Sequence, residues 1–528
     1  MATLVLSAAT AAAGPALINA GIGLGLSFGQ GIMVSNVMTG LAGLTGGMVD
    51  RALLGPATAS DVEGPRLSEI QIQSSTEGAP IPRAYGRARL AGQVIWATRF
   101  KEVANTEEVG AGKGGPAAGT AEVTEYSYYV SFAVALCEGT VSRIGRVWAD
   151  GKPLNLAGLT YRVYSGSEDQ EPDVLIEAIE GAGNVPAFRG VAYVVFEDLP
   201  LAQFGNRVPQ LTFEVIRRVP TEENSAETLI RAVDLIPASG EFVYATETVM
   251  RDLSNGATQA ETLNNNMGKP DFVESLDQIE DILPNCRSVL MVTAWFGTDL
   301  RAEHCRLRPG VEYRDKETYP LVWQAGGESR ASAHLVSRRD GTPVYGGTPA
   351  DSVVVQAIRE MRSRDLRVVF YPFILMDVPA ENTLPDPYDP AGAQPAFPWR
   401  GRITVHPAPG VSGSPDGSAA ARDQIAAFFA QYRPMVLHYA RLCQEAGGVD
   451  AFVIGSELRG LTTVRDGLGS YPAVAELRRL AADVRAILGL AVKLSYAADW
   501  SEYFGHQPQD GSGDVHFHLD PLWADANI

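Results

Sequence analysis

The spacing of apolar residues changes character along the chain. Over 64–218 they alternate with polar residues at a period of two. In 125–137, Tyr126, Tyr128, Val130, Phe132, Val134 and Leu136 point one way, and Ser127, Tyr129, Ser131, Ala133 and Ala135 the other, as in a half-buried strand. A partner strand is expected at 93–100, and the Gly/Ala-rich stretch 105–120 between them reads as a long hairpin tip. Further strands are expected at 141–148, 160–163, 192–196 and 210–215. Beyond Arg218 the pattern becomes an alternation of two element types. Helices are expected at 271–283, 351–364, 422–444 (with a kink at Pro434) and 472–488, the last ended by Gly489. Between them stand continuous apolar runs at 288–295, 368–376, 451–455 and 492–496, which read as buried parallel strands. A (β/α)8 barrel is the leading arrangement and an open doubly wound sheet the second, with no GxGxxG or Walker motif to support a nucleotide site in the latter.

Met1–Val49 carries no charged side chain; Asp50 is the first. The segment lacks the basic start of a signal peptide, and Pro15, Asn19, Gln30 and Asn36 interrupt it. It is expected to be helical, with Gly21, Gly25 and Gly29 on one face, where small residues let helix backbones approach closely. A protein interior and lipid both reward missing charge, so a plug inside an oligomer and a membrane-active segment are both open.

At 528 residues the chain exceeds one core, and 45% hydrophobic and 20% charged residues are ordinary for a globular protein. The domains are expected at 1–55 (the uncharged segment), 56–220 (β-rich), 221–285 (a helical connector) and 286–528 (the barrel). The net charge of −19 argues against a groove that grips DNA, and sequence-specific nucleic-acid binding is not expected. Cys137, Cys286, Cys305 and Cys443 are scattered without CxxC spacing, which speaks against zinc and disulfides. His516 and His518 flank Phe517 without a third fixed ligand, so neither metal nor cofactor is expected.

GAPIPRAYGRARLAGQVIWAT (78–98), EYSYYVSFAVALCEG (125–139), the IGRVWADGKPL that follows and FEDLPLAQFGNRVPQLTFEV (196–215) resemble hub proteins of siphophage tail tips and gene transfer agents. RSVLMVTAWFGTDLRAEHCRLRPGVE (287–312), VVFYPFILMD (368–377) and AFVIGSELRGLT (451–462) resemble the TIM-barrel-like domain of gene transfer agent tail proteins, itself similar to retaining glycoside hydrolases. The resemblance implies a multidomain α+β protein: an apolar N-terminal helix, β-barrel hub domains and a (β/α)8 barrel. It also implies a homotrimer at the tail tip of a phage-like particle, beside distal-tail and other hub proteins, while the scattered cysteines fit synthesis in the reducing bacterial cytoplasm. Such a hub ends the tail tube and gates DNA delivery; a recipient-cell membrane or envelope polysaccharide is the further partner. The alternative is a glycosidase acting on envelope polysaccharide or peptidoglycan. In this setting Leu24→Asp separates the two roles of the N-terminus, because a charge at the bilayer centre costs about 2.5–3.5 kcal/mol. If the segment enters the membrane, the variant particles assemble and hold DNA but lose delivery; normal DNA transfer rules membrane entry out.

Glu457 follows Ile454-Gly455 at the C-terminal end of an expected strand, where barrel enzymes keep their chemistry. The resemblance implies an acid/base Glu after the fourth strand, and a retaining enzyme needs a second carboxylate about 5–5.5 Å away. The family takes that group from the seventh strand, whereas this sequence is expected to reach only a sixth, at 526–528, leaving the barrel incomplete. Asp499 and Glu502 are carboxylates off the expected position. The structural alternative is that Glu457 pairs with an arginine such as Arg459 or caps the turn. Trp295, Tyr371 and Trp500 suit sugar stacking at the strand ends, or packing of core and rim.

Overall fold

A computed structural model describes residues 62–63, 78, 80–109, 121–218, 225–236, 240–253, 256–508 and 510–528. The N-terminal segment with Gly21, Gly25 and Gly29 and the 110–120 part of the expected hairpin tip lie outside the described residues. The chain divides into two compact units, 1–220 with 266–268 and 221–265 with 269–528. Among the described residues no helix is long and apolar enough to cross a membrane.

The first unit holds β1 (Gly86–Ala91), β2 (Gln93–Ala97), β3 (Lys101–Val109), β4 (Ala121–Glu138), β5 (Arg143–Ala149), β6 (Thr160–Tyr164), α1 (Val174–Glu180), β7 (Val191–Pro200) and β8 (Leu211–Arg217). β4 pairs with β2 and β3 along one edge and with β7, followed by β6, along the other. β1, β8 and β5 form a second antiparallel sheet. Phe132, Val134, Leu136 and Phe196 of the first sheet share one core with Val147, Phe213 and Val215 of the second. The alternation read from 125–137 is the reason: its large residues reach that core, while Ala133 on the opposite face packs with Tyr193, Val195 and Ile176 of α1. α1 starts because Asp173 caps it, accepting from the amides of Leu175 (2.9 Å) and Ile176 (3.1 Å). Two apolar sheet surfaces bury this core, and the described strands form two sheets, with 86–91 in one and 93–97 in the other. The β3–β4 ladder continues to Val109 and Ala121, past the start of the expected tip.

In the second unit, β9 (Ala232–Leu235), α2 (Asp271–Ile282), β10 (Ser288–Gly297), α3 (Asp351–Ser363), β11 (Arg367–Met376), α4 (Ala419–Glu445), β12 (Ala451–Ser456), α5 (Pro472–Leu488) and β13 (Lys493–Ala497) follow one another. The five strands are parallel and lie side by side in chain order. A doubly wound sheet reverses its order at a switch point; this one does not, so it is barrel-like. Val289, Met291, Val368, Phe370, Ile454 and Leu494 pack under the helices, against residues such as Leu276, Ile358, Phe428 and Leu477. Val369, Tyr371, Phe373 and Leu375 of β11 alternate with that set and are half-buried, on the sheet's other face.

Two expectations need correction. The segment 221–285 is not only a helical connector: Ala232–Leu235 pairs with β10 as a strand of the main sheet, with Val233 and Leu235 packed on the core. Nor is 526–528 a strand. It follows a helical turn, Asp520–Trp523, and bends because Asp525 Oδ1 accepts from the backbone (3.0 Å) and side-chain (2.9 Å) nitrogens of Asn527.

Candidate functional site

With β9 in place, β12 is the fourth parallel strand in chain order, and Glu457 follows it directly. Its backbone is left-handed (φ 51°), a conformation a glutamate adopts only when its surroundings hold it there. They do: the Glu457 amide donates to the Ala497 carbonyl (2.8 Å) and the Leu458 amide to the Tyr496 hydroxyl (2.8 Å). A Cβ at Gly455, the next-to-last residue of β12, would come to 3.0 Å from the Tyr432 hydroxyl and 3.3 Å from the Tyr496 ring, so a larger residue would press on both tyrosines.

Glu457 Oε2 accepts from Trp399 Nε1 (2.8 Å) and Arg400 Nη2 (2.6 Å). The arginine partner is therefore Arg400, not Arg459. Arg400 is buried with its guanidinium 3.7 Å from the centre of the Phe373 ring, and it also donates to the Ser456 hydroxyl (2.6 Å) and carbonyl (3.1 Å). Tyr371 stands edge-on to Phe373 at 5.6 Å. Burial raises the Tyr371 pKa, against the opposing pull of Ser456 and Arg400. Glu457 and Tyr371 thus belong to one cluster, joined through Arg400. Its two donors fix Glu457 through a single oxygen. Among the described residues no second carboxylate joins the cluster by a hydrogen bond or ion pair.

The other candidates lie elsewhere. Trp295 pairs in register with Ile374, on the helix-facing side of the sheet, where it is buried against His438 and Tyr439 of α4. Trp500 is 73% exposed and stands edge-on to Phe504. Asp499 and Glu502 form a reciprocal cap of a helical turn. Glu502 is buried, accepts from the hydroxyls of Thr462 (2.6 Å) and Tyr496 (3.1 Å), and has its pKa raised by that burial. His516 and His518 pack against Tyr471. Sequence reasoning does not reach Trp399 and Arg400; the signal that could have found them is Pro-Trp-Arg-Gly-Arg at 398–402, in the long loop leaving the C-terminal end of β11.

Comparison with known proteins bears on the same unit. Residues 430–528, from within α4 to beyond β13, match the GTA TIM-barrel-like domain, GTA denoting gene transfer agent. None of the curated proteins compared matches the chain. Among solved structures, a chain from the virion of a native gene transfer agent particle is 43% identical, over 39% of this chain and 44% of that one, with a TM-score of 0.25. A GH113 beta-1,4-mannanase is 15% identical over 42% of this chain and 48% of its own, with a TM-score of 0.25. A GH113 beta-mannanase from Alicyclobacillus acidocaldarius in complex with ManMIm is 16% identical over 40% and 44%, with a TM-score of 0.21. The chain spans less than half the length of each of these. The family match relates 430–528 to gene transfer agent proteins, as the resemblance implied.

Proposed function

We propose that this chain, which carries a match to the gene transfer agent TIM-barrel-like domain, is the structural hub that closes the tail tube of such a particle and gates DNA delivery. The match at 430–528 supports the reading, because the domain it names is one of gene transfer agents. In this reading three copies surround the channel with their β units, 56–220, and the uncharged 1–55 segment lies at the axis or enters the recipient membrane. Distal-tail and other hub proteins bind around them. Purified particles then contain the chain in fixed proportion to the tail-tube protein. Its absence from particles that still transfer DNA contradicts the proposal.

One observation favours a second reading, a glycosidase acting on the cell envelope: a glutamate in a strained, well-held conformation at the end of the fourth parallel strand. Loss of general acid catalysis costs at least about 100-fold in rate. Glu457→Gln should therefore cut hydrolysis of peptidoglycan or capsule polysaccharide by that factor while leaving the fold intact. Equal rates for wild type and variant exclude Glu457 as the acid.

A further inference from the structure

A cavity of about 520 Å³ lies beyond the C-terminal end of β11, within the size range of small-molecule sites. It is lined by Arg339, Asp340, Thr342, Pro343, Tyr345 and Phe397, among others. Its walls are fastened to the strand. The Phe397 amide donates to the Val378 carbonyl (2.9 Å) and the Tyr345 hydroxyl lies 3.4 Å from the Met376 carbonyl. Asp377, buried, accepts from the Ser337 amide (2.9 Å) and hydroxyl and meets His334 Nε2 at 2.6 Å, which anchors the segment leading into the lining.

The chemistry of the lining is specific. Tyr345 and Phe397 stand perpendicular, with ring centres 5.9 Å apart, and form an aromatic corner. Arg339 lies 5.2 Å from the centre of the Phe397 ring. Among the described residues Arg339 and Asp340 have no ion-pair partner, and both are exposed, so a guanidinium and a carboxylate border the cavity open to solvent. Phe397 sits in left-handed backbone at φ 47°, strain of the kind retained where a site needs it, whereas Asp340 (φ 51°) takes that conformation as the first residue of an Asp-Gly hairpin turn between 338–339 and 342–343.

From this we infer that the cavity binds one end of a neutral pyranose oligosaccharide. A pyranose ring is apolar on its C–H face and ringed by hydroxyls. The face fits an aromatic corner, and vicinal hydroxyls take both a guanidinium donor and a carboxylate acceptor. Phe397 is followed two and three residues later by Trp399 and Arg400, the pair that holds Glu457, so one loop carries both the cavity wall and the partners of Glu457. The inference names the substrate class for the second reading and requires no hydrolysis.

Titration calorimetry of the full chain with mannopentaose, chitopentaose and cellopentaose tests it. At least one is expected to bind, with affinity falling about ten-fold in Phe397→Ala as the stacking is lost. Arg339→Gln, on an exposed side chain that leaves the fold alone, should weaken binding several-fold. Binding without hydrolysis by the wild type leaves the cavity assignment standing and excludes hydrolysis of that oligosaccharide. If none of the three binds, or if binding is unchanged in both variants, the assignment is overturned.

Discussion

Lys316→Met should destabilise the second unit by about 3–5 kcal/mol, the usual cost of breaking a buried ion pair from one side. The Lys316 side chain is 2% exposed, and its ammonium lies 3.1 Å from Glu241, 3.0 Å from Glu261 and 2.6 Å from Glu312. Burial alone would lower its pKa, but the three carboxylates outweigh that and raise it. Glu241 is also gripped through both oxygens by Arg330, at 2.8 Å each. These groups lie in segments that follow β9 and β10, beside a small antiparallel sheet of 250–252, 258–260 and 318–319, so the network reinforces excursions that short strands alone hold. The variant leaves three carboxylates short of a cation; Lys316→Arg keeps the charge and should lose less. Urea unfolding of the full chain, followed by the helical circular dichroism, which among the described residues comes mainly from this unit, reads the difference. A loss below about 1 kcal/mol for Lys316→Met contradicts the account.

Asp173→Asn should cost the first unit about 3 kcal/mol, for a related reason. The carboxyl is fully buried, and it accepts from Arg162 Nε (2.6 Å), the Tyr164 hydroxyl (2.8 Å) and the two amides it caps. The amide places an N–H₂ among donors and leaves Arg162 with Glu197 alone, at 2.7 Å. Burial pushes the Asp173 pKa up, but Arg162, the Ile176 amide and Tyr164 outweigh it and hold it below the ordinary value. Its contribution is therefore complete above about pH 4 and is lost as pH falls through the lowered value of the folded state. Wild type and variant should converge in acid. Hydrogen exchange at the Ile176 and Val194 amides, followed against pH, checks both points; a gap that stays constant into acid would contradict the assignment.

What could be read from the sequence follows from how strongly each segment is patterned. β4 was legible because its large residues alternate over many positions with one face on the main core. α1 was not, since seven residues hold barely two turns; only the capping Asp173 marks its start. β9 is four residues long, too short for any period to show, and leaving it out had a cost: without it β12 is not the fourth strand and the position of Glu457 has no structural footing. Residues 298–350 contain only two-residue strands tied by side chains such as Lys316 and Asp377, which leave no periodic trace. At the site, Glu457 was visible as a carboxylate ending a strand, but Arg400 lies 57 positions away and only the fold brings them together. Trp295 sits in a strand apolar on both faces, so its pattern could not say that it turns toward the helices and away from the cluster.

The hub assignment is tested most directly by electron cryomicroscopy of purified particles carrying a tag on this chain. The account predicts three copies ringing the channel where the tail tube ends. Copies spread along the tube, copies on the head, or particles that lack the chain altogether would contradict it.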